Sequence, residues 1–432
     1  MINVGMIGFG VVGSGTAKIL LGNKNILRER LGFDINLKRI AVRDIKSDRG
    51  VKVPDGVLTT DVNLIFDDPD IHIVVELIGG IRPAKDFILK AIQHGKHIVT
   101  ANKALLATEG AEIFNSALRA GIEVGFEASV AGAIPIIKVI KESLIANRIK
   151  AIYGIINGTS NFILTKMTEQ NVEFSDALKE AQSLGYAEAD PTRDIEGIDT
   201  AHKLTILSNL AYGIPFSFND IYIEGISNIS TQDIEFALEL GYKVKLLAIA
   251  KETDGEVELR VHPTMIPKDH LIAKVDGPFN AIYVDGDATG STLYYGRGAG
   301  STPTGSAVVS DIADIARNLQ KNAVGRVPII PRISRNTRIK KIKDIVSRYY
   351  LRFSALDKPG VLSNISGVLG SHNISIKSVI QKGHRIGEAV PLVLLSHDAK
   401  ELDMRKAIGE IDRLPVVMGK TVFIRVEGRE ES

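Results

Sequence analysis

Hydrophobic and polar positions over the first 130 residues alternate between two periods. Ile2, Val4, Met6 and Ile7 form a short apolar run that stops at Gly8, and Ala17, Ile19 and Leu20 then recur at helical spacing, which predicts a strand, a tight turn and a helix. Leu37 to Val42 reads as a second strand and Ile71 to Leu77 as a near-continuous apolar strand of the buried parallel kind. Phe87 to His94 follows as a helix, His97 to Thr100 as a strand and residues 122 to 126 as another. Strands that alternate with helices in this way build a parallel sheet, so this part is α/β.

After Pro135 the pattern changes. A long apolar helix is expected to about Leu144, then a strand from Ile149 to Ile156, polar loops and helices, and strands near Lys243 to Ala250 and Glu256 to Pro263, an α+β arrangement. The glycine-rich Gly296 to Gly300 leads through Pro303 into a helix with Val308, Ile312, Ile315 and Leu319 on one face. Residues 321–347 are rich in Lys and Arg and lack sustained periodicity, which reads as a linker; without interleaved aromatics a nucleic-acid tail is the poorer reading. Beyond it come strand Arg348 to Ser354, helix Gly360 to Gly370, strands Ile374 to Ile380 and Ala389 to Ser396, helix Met404 to Leu414 and strand Thr421 to Val426. That order, βαββαβ, is the ferredoxin-like plan.

The turn after the first strand is Gly8-Phe9-Gly10-Val11-Val12-Gly13. Gly8 suits the sharp turn, Gly10 removes a Cβ where a pyrophosphate would approach, and Gly13 allows close packing of helix on strand, which is the logic of a Rossmann dinucleotide site. The helix start offers unpaired N–H groups and a partial positive charge to phosphates. Arg43-Asp44 ends the second strand, so both a partner for a ribose 2′-hydroxyl and one for a 2′-phosphate are present. Arg43, followed by Lys46, Arg49 and Lys52, favours NADP over NAD, although basic residues in a surface loop are commonly just solvated.

Composition narrows the function classes. At 432 residues the chain is long enough for several domains, and a net charge of +2 gives no electrostatic footprint for nucleic acid or an anionic membrane. The absence of cysteine removes disulfides, thiolate nucleophiles and Cys-ligated metals together. Met1 runs straight into a core strand and no 18-residue apolar stretch occurs, so a soluble cytoplasmic protein is expected, with no membrane partner.

Three segments could carry chemistry. Asn102-Lys103 follows the strand ending at Thr100, where open α/β sheets place their ligands; a solvated helix-start lysine would look the same. Gly185-Tyr186-Ala187-Glu188-Ala189-Asp190-Pro191 and Arg193-Asp194-Ile195-Glu196-Gly197 make an acidic loop, by itself compatible with an ordinary polar turn, that runs into Asp199-Thr200-Ala201-His202-Lys203. Asp199 and Lys203 are four apart on one helix face. That helix carries Ile198, Ala201, Leu204, Ile206, Leu207, Leu210 and Ala211, too many apolar positions for a solvent-facing element, so Lys203 needs a carboxylate partner or a depressed pKa, and either would serve proton transfer. In the third, Glu127 precedes a small-residue turn, Ala128 to Pro135, whose carbonyls could join one carboxylate around a hard cation, though most such turns bind nothing.

Taken together, GFGVVG, VTANKALLA, GFEASVAGAIPII, INGTSNFIL, GYAEADPTRDIEGIDTAHKL and GRGAGSTPTGSAVVSDI resemble the homoserine dehydrogenase family over residues 1 to about 320, and the tail with Asp357-Lys358-Pro359-Gly360-Val361-Leu362 and Asn373-Ile374 resembles an ACT domain. The resemblance implies reversible reduction of L-aspartate 4-semialdehyde to L-homoserine with NAD(P)H, on the route to threonine, methionine and isoleucine. It implies that Lys203 is the proton donor, with Lys103 beside nicotinamide and substrate, and that Glu188, Asp199, Asp194, Thr159, Tyr186 and Gly185 shape the substrate pocket. Lys103 and partial burial are expected to lower the pKa of Lys203 in the ternary complex. The cofactor surface would take in Gly8, Phe9, Gly10, Val11, Val12, Gly13, Arg43, Ile78, Thr100, Lys103 and Gly300; a monovalent cation, sodium, would sit at Glu127 with the carbonyls of Val130, Gly132 and Ile134. A feedback amino acid, threonine first, would bind around Asp357, Gly360, Val361, Asn373 and Ile374, and a homodimer or homotetramer is implied. The implied domains are 1–134 for NAD(P), with a return helix at about 303–320, 135–302 for catalysis and dimerisation, 321–347 as linker and 348–428 for regulation. Another NAD(P)-dependent amino-acid or aldehyde dehydrogenase, or a non-catalytic metabolite sensor, would share the first domain; a sensor has no use for Lys103, Glu188, Asp199 and Lys203 in one chain.

Overall fold

The computed structural model describes residues 1–330, 337–381 and 388–428. Strands β1 (Ile2–Ile7), β2 (Ile35–Ala41), β3 (Leu58–Thr59), β4 (Ile71–Glu76), β5 (His97–Thr100) and β6 (Val124–Gly125) form a six-stranded parallel sheet in the order β3-β2-β1-β4-β5-β6. The order reverses between β2 and β4 around β1, the switch point at which open parallel sheets leave a crevice at their carboxyl ends. Helices α1 (Val11–Gly22), α2 (Lys24–Leu31), α3 (Asn63–Phe66), α4 (Ala84–Gln93) and α5 (Lys103–Ala120) make the crossovers. α2 was not expected: it has no buried residue, and Gly32 at φ +80° stops it, so no apolar stripe announces it in the sequence.

The apolar stretch after Pro135 is shorter and differently wound than its periodicity predicts. A single α turn, α6 (Ile136–Lys138), passes into a π-helical turn over Val139–Ser143. Ile136, Ile140 and Leu144 are all buried, and their spacing of four is brought into line by the wider i→i+5 winding.

The chain continues through β7 (Ile149–Ile155), α7 (Gly158–Gln170), α8 (Phe174–Ser183), α9 (Thr192–Ile195), α10 (Ile198–Tyr212), β8 (Tyr222–Ile223), α11 (Thr231–Glu239), β9 (Tyr242–Thr253), β10 (Glu256–Pro267), β11 (Phe279–Gly286), β12 (Gly290–Arg297) and α12 (Ser301–Gln320). Of the segment expected as a linker, residues 331–336 lie outside the described ones, while β13 (Arg338–Ile339) pairs in parallel with the start of β10. Then follow β14 (Val346–Leu356), α13 (Val361–Ser371), β15 (Ile376–Gln381), β16 (Ala389–Ser396), β17 (Ala399–Lys400), α14 (Glu401–Ile411) and β18 (Val422–Val426).

These elements fall into two compact units. The first, residues 1–158, 198–221 and 278–330, holds the parallel sheet and the antiparallel run β12-β11-β7. Its core joins β1, β2, β4 and β5 to α1 and α12 through Val4, Met6, Ile40, Val75, Val308 and Ile312. The second unit, residues 159–197, 222–277, 337–381 and 388–428, carries the β9–β10 hairpin and the antiparallel order β18-β14-β16-β15, in which β18 also pairs in parallel with β10. α13 and α14 cover one face of the latter sheet with Ile365, Leu369, Met404, Ala407 and Ile411 against Tyr349, Leu351, Phe353 and Leu394. Among the described residues no helix is long and apolar enough to cross a membrane.

Candidate active site

The carboxyl ends of β1, β2 and β4 open into a cleft of about 750 Å³ lined by Gly8, Phe9, Gly10, Arg43, Asp44, Arg49, Ile78 and Gly79 among others. Gly8 has φ +103°, and a Cβ there would meet the backbone of Leu77 at 2.7 Å. Gly10 faces open space, and α1 begins at the next residue with Val11 70% exposed, so the first N–H groups of the helix are open to an anion. Gly13 rests on the carbonyl of Gly8, as close helix–strand packing requires. Sequence reasoning passed over Gly15 and Gly305, where α1 and α12 touch backbone to backbone: a Cβ on Gly305 would stand 2.7 Å from Gly15 C and Thr16 N.

At the ribose end the Asp44 carboxylate is turned into its own loop, accepting from Lys46 N–H at 2.8 Å and from the Ser47 hydroxyl at 2.5 Å, and these bonds lower its pKa. Arg49 donates to the Asp44 carbonyl and lies 5.7 Å above the Phe9 ring. Thr100 is fully buried, its hydroxyl donating to Glu76 Oε2 at 2.7 Å and accepting from Asn102 N–H, which leaves its main chain as the part that could face a cofactor. Glu76 Oε1 accepts from Ile78 and Gly79 N–H, so this carboxylate, which sequence reasoning missed, fixes the loop that floors the cleft. Its signal was an acidic residue closing an otherwise apolar parallel strand.

Lys103 is the first residue of α5, whose cap Asn102 accepts from Leu105 N–H. Its Nζ is 2.8 Å from Asp199 Oδ1, while Lys203 Nζ is 2.7 Å from Asp199 Oδ2 and donates to the Ile156 carbonyl at 2.6 Å. Asn157 Nδ2 donates to Asp199 Oδ2 at 3.0 Å. One carboxylate thus gathers two ammonium groups and an amide. Lys203 and Asp199 are buried and the Lys103 side chain is 42% exposed, so the group is enclosed on the α10 side and open on the other. Burial by itself would raise the Asp199 carboxyl, but the charges of Lys203 and Lys103 outweigh it and hold the group well below the usual carboxylate range.

Glu127 is buried; its oxygens accept from Ile137 N–H (2.8 Å) and Lys138 N–H (2.9 Å), and its own N–H donates to Asp311 Oδ2 on α12. Burial, with the Asp311 charge adding to it, pushes Glu127 up to about 7. Burial likewise raises Asp311 to about 6. The turn runs through Ala131 and Gly132 at φ +53° and +52°, and among the described residues no donor reaches the carbonyls of Val130 or Gly132, whereas that of Ile134 accepts from Ile136 N–H. No group of three or more His, Asp or Glu side chains suited to a metal occurs among the described residues, so any cation here would rely on carbonyl oxygens.

Within the second unit the acidic loop is held at both ends. Thr159 donates to the Tyr186 carbonyl at 2.6 Å, the Tyr186 ring lies 5.0 Å from that of Phe162, and Ser160 donates to the Asp194 carbonyl at 2.8 Å. Gly185 takes φ +73°, Gln182 donates to the carbonyl of Glu188, and the Glu188 side chain is exposed. In the C-terminal sheet a cleft of about 440 Å³ is lined by Asp357, Lys358, Gly360, Val361, Gln381 and Leu392 among others. Asn373 and Ile374 do not line it: Asn373 turns the chain at φ +57° after α13, and Ile374 is core.

A glycine turn under an open cleft, a lysine–aspartate–lysine group on the same unit and a ferredoxin-like tail define the class as a nicotinamide-dependent oxidoreductase with an appended ferredoxin-like domain. Sequence models of the family match as follows: "Homoserine dehydrogenase, NAD binding domain" over residues 8–127, "Homoserine dehydrogenase" over 135–313 and "ACT domain" over 349–416. Homoserine dehydrogenases of Neisseria gonorrhoeae (47% identical, 99% of this chain and 98% of that one) and Pseudomonas aeruginosa (48%, 99% of each) are similar along the whole length. The crystal structure of a homoserine dehydrogenase from Thiobacillus denitrificans has a TM-score of 0.93 at 49% identity, covering 99% of this chain and 98% of that one. A hyperthermophilic archaeal homoserine dehydrogenase in complex with NADPH has a TM-score of 0.62 at 28% identity, covering 74% and 98%. The chain belongs to the homoserine dehydrogenase family, NAD(P)-dependent oxidoreductases acting on CH–OH.

Proposed function

We propose that this chain interconverts L-aspartate 4-semialdehyde and L-homoserine, with Lys203 as the proton donor. The observation that carries the reading is the shared carboxylate of Asp199, 2.7 and 2.8 Å from the ammonium groups of Lys203 and Lys103. The nicotinamide, when bound, supplies or accepts the hydride. As the carbonyl carbon gains that hydride, charge grows on its oxygen, and an ammonium held ready there stabilises the charge and delivers its proton. Asp199 and the Ile156 carbonyl fix Lys203 before substrate arrives, which removes reorganisation from the reacting step. In the oxidative direction Lys203 takes the hydroxyl proton. The more exposed Lys103 is assigned to nicotinamide and substrate, and Glu188, Asp194, Thr159, Tyr186 and Gly185 to the substrate's amino-acid end.

For the coenzyme we propose NADP over NAD: Arg43 and Arg49 line the cleft, while both oxygens of Asp44 are engaged within its loop. For the cation we propose sodium, held by Glu127 with the carbonyls of Val130, Gly132 and Ile134; a buried carboxyl raised by its surroundings and two undonated carbonyls are the donors a hard monovalent ion takes. For the tail we propose threonine at the cleft around Asp357, Gly360 and Val361. A homodimer or homotetramer is supported by β12, which ends its antiparallel run and leaves Tyr295 57% exposed.

The deciding assay follows NADPH and NADH separately with aspartate semialdehyde in wild-type and Lys203→Ala enzyme. Turnover is expected to fall roughly 10²–10⁴-fold, the usual worth of a positioned general acid, with coenzyme binding unchanged. Near-wild-type turnover in the variant would end the assignment of Lys203.

A further inference from the structure

We infer that Glu224 and Arg425 are positioning residues for the acidic loop, so that the last strand of the C-terminal sheet sets how tightly substrate is held. The inference rests on the assignment of that loop to substrate.

Arg425, on β18, is 1% exposed and spends its guanidinium on three partners. It meets Glu401 of α14 through Nε (2.9 Å to Oε2) and Nη2 (2.6 Å to Oε1), a fork that only Arg can make. Its third edge, Nη1, donates to Glu224 Oε2 at 3.0 Å. Tyr222 donates to the same Glu224 oxygen at 2.9 Å and lies under the guanidinium, 5.0 Å from ring centre to charge. Arg405 closes the group, bonding Glu401 Oε1 at 2.8 Å and the Tyr222 hydroxyl at 2.9 Å.

From Glu224 the contacts run directly to the loop. Gly225 is pressed against it, since a Cβ there would stand 2.5 Å from Glu196 Oε2 and 2.6 Å from the Ile195 carbonyl. Ile226 N–H donates to that Ile195 carbonyl at 2.8 Å, and the Ser227 hydroxyl donates to Glu196 Oε1 at 2.5 Å. Ile195 and Glu196 are the next two residues after Asp194, and α9, which holds Asp194 and Ile195, is only four residues long. So short a helix has almost no stability of its own, and its position is set by what grips it. Ser160 grips the Asp194 carbonyl from one side; residues 225–227 grip Ile195 and Glu196 from the other. A displaced Glu224 carries residues 225–227 and the end of the loop with it.

The cost of the arrangement points the same way. A buried guanidinium with two carboxylates is seldom better for stability than a packed apolar group of equal size, and its gain is directional placement. Here the direction fixed is that of Glu224 relative to β18 and α14.

The test uses the full-length enzyme, with homoserine and NADP as varied substrates and hydrogen exchange read at residues 190–197. Glu224→Gln keeps the shape and the Tyr222 contact but weakens the grip of Arg425. Ser227→Ala removes the second anchor without touching the ionic group. Each is expected to raise KM for homoserine about fivefold with kcat within about twofold, to leave KM for NADP unchanged and to speed exchange across 190–197. Glu224→Asp, which retains charge, should recover part of the loss. Unchanged homoserine KM together with unchanged exchange overturns the inference, as does a parallel rise in both KM values with a lowered melting temperature, which marks a merely structural role. Asp194→Asn separates the two readings: if it leaves homoserine KM unaltered, the substrate assignment of the loop fails, while the exchange data still decide whether Glu224 positions it.

Discussion

At the scale of single residues, burial decides which ionisable groups carry information. Asp199 and Glu127 are both buried carboxyls, yet they are driven in opposite directions: burial, with the Asp311 charge added, raises Glu127, whereas two ammonium groups outweigh burial at Asp199. Glu127 is raised from 4.5 to about 7, so the folded protein holds a proton there that the unfolded chain has lost. Stability therefore falls as pH rises from about 4.5 through about 7, and the penalty is complete above that. A cation on that carboxylate offsets the penalty where it exists. The melting temperature is expected to rise more with sodium chloride than with choline chloride at pH 8, the difference to fade by pH 5.5, and Glu127→Gln to abolish it. A sodium effect that survives in the variant would place the ion elsewhere. The i,i+4 pairing of Asp199 with Lys203 was legible because both lie on one turn of an apolar helix. Lys103 and Asn157 reach the Asp199 carboxylate, and Asp311 reaches the Glu127 N–H, across the fold, and no local spacing encodes such meetings.

At the scale of elements, the parallel strands other than the two-residue β3 were legible from their apolar runs, and boundaries moved by a few residues, as for α4, which starts at Ala84 rather than Phe87. The exposed α2 and the π turn after Lys138 were not, the first for want of an apolar stripe and the second because residues four apart fit either winding. The crossing of α1 and α12 shows what a motif conceals: the fingerprint ends at Gly13, yet the backbone contact between the two helices is made at Gly15, Ser301 and Gly305. Because backbone, not a flexible side chain, occupies the space, Gly305→Ala should lower stability by about 1–3 kcal/mol. Thermal unfolding checks this, and coenzyme affinity should weaken with it, since α1 presents its first N–H groups to the cleft. An unaltered melting curve would mean that the helices part without strain.

At the scale of the whole molecule, the tail was readable as βαββαβ because its hairpins and helices are local, and its order β18-β14-β16-β15 follows from that plan. What no periodicity discloses is that each unit is assembled from several separate stretches of chain, with α10 in the first unit and the neighbouring acidic loop in the second. Pairings such as Thr264 with Arg425 depend on the completed fold. If the cleft at Gly360 senses an amino acid, calorimetry should detect threonine, and Asp357→Ala should remove the heat while leaving turnover without threonine intact. No heat with threonine, isoleucine, methionine or lysine would leave the domain without a sensing role.

β18 lies between β10 and β14, so both neighbours rely on it for pairing. Without it, the facing stretches of β10 and β14 would present bare strand edges, which are templates for pairing with other chains. A chain cut before Val422 is therefore expected to associate through those edges rather than to lose only a regulatory tail.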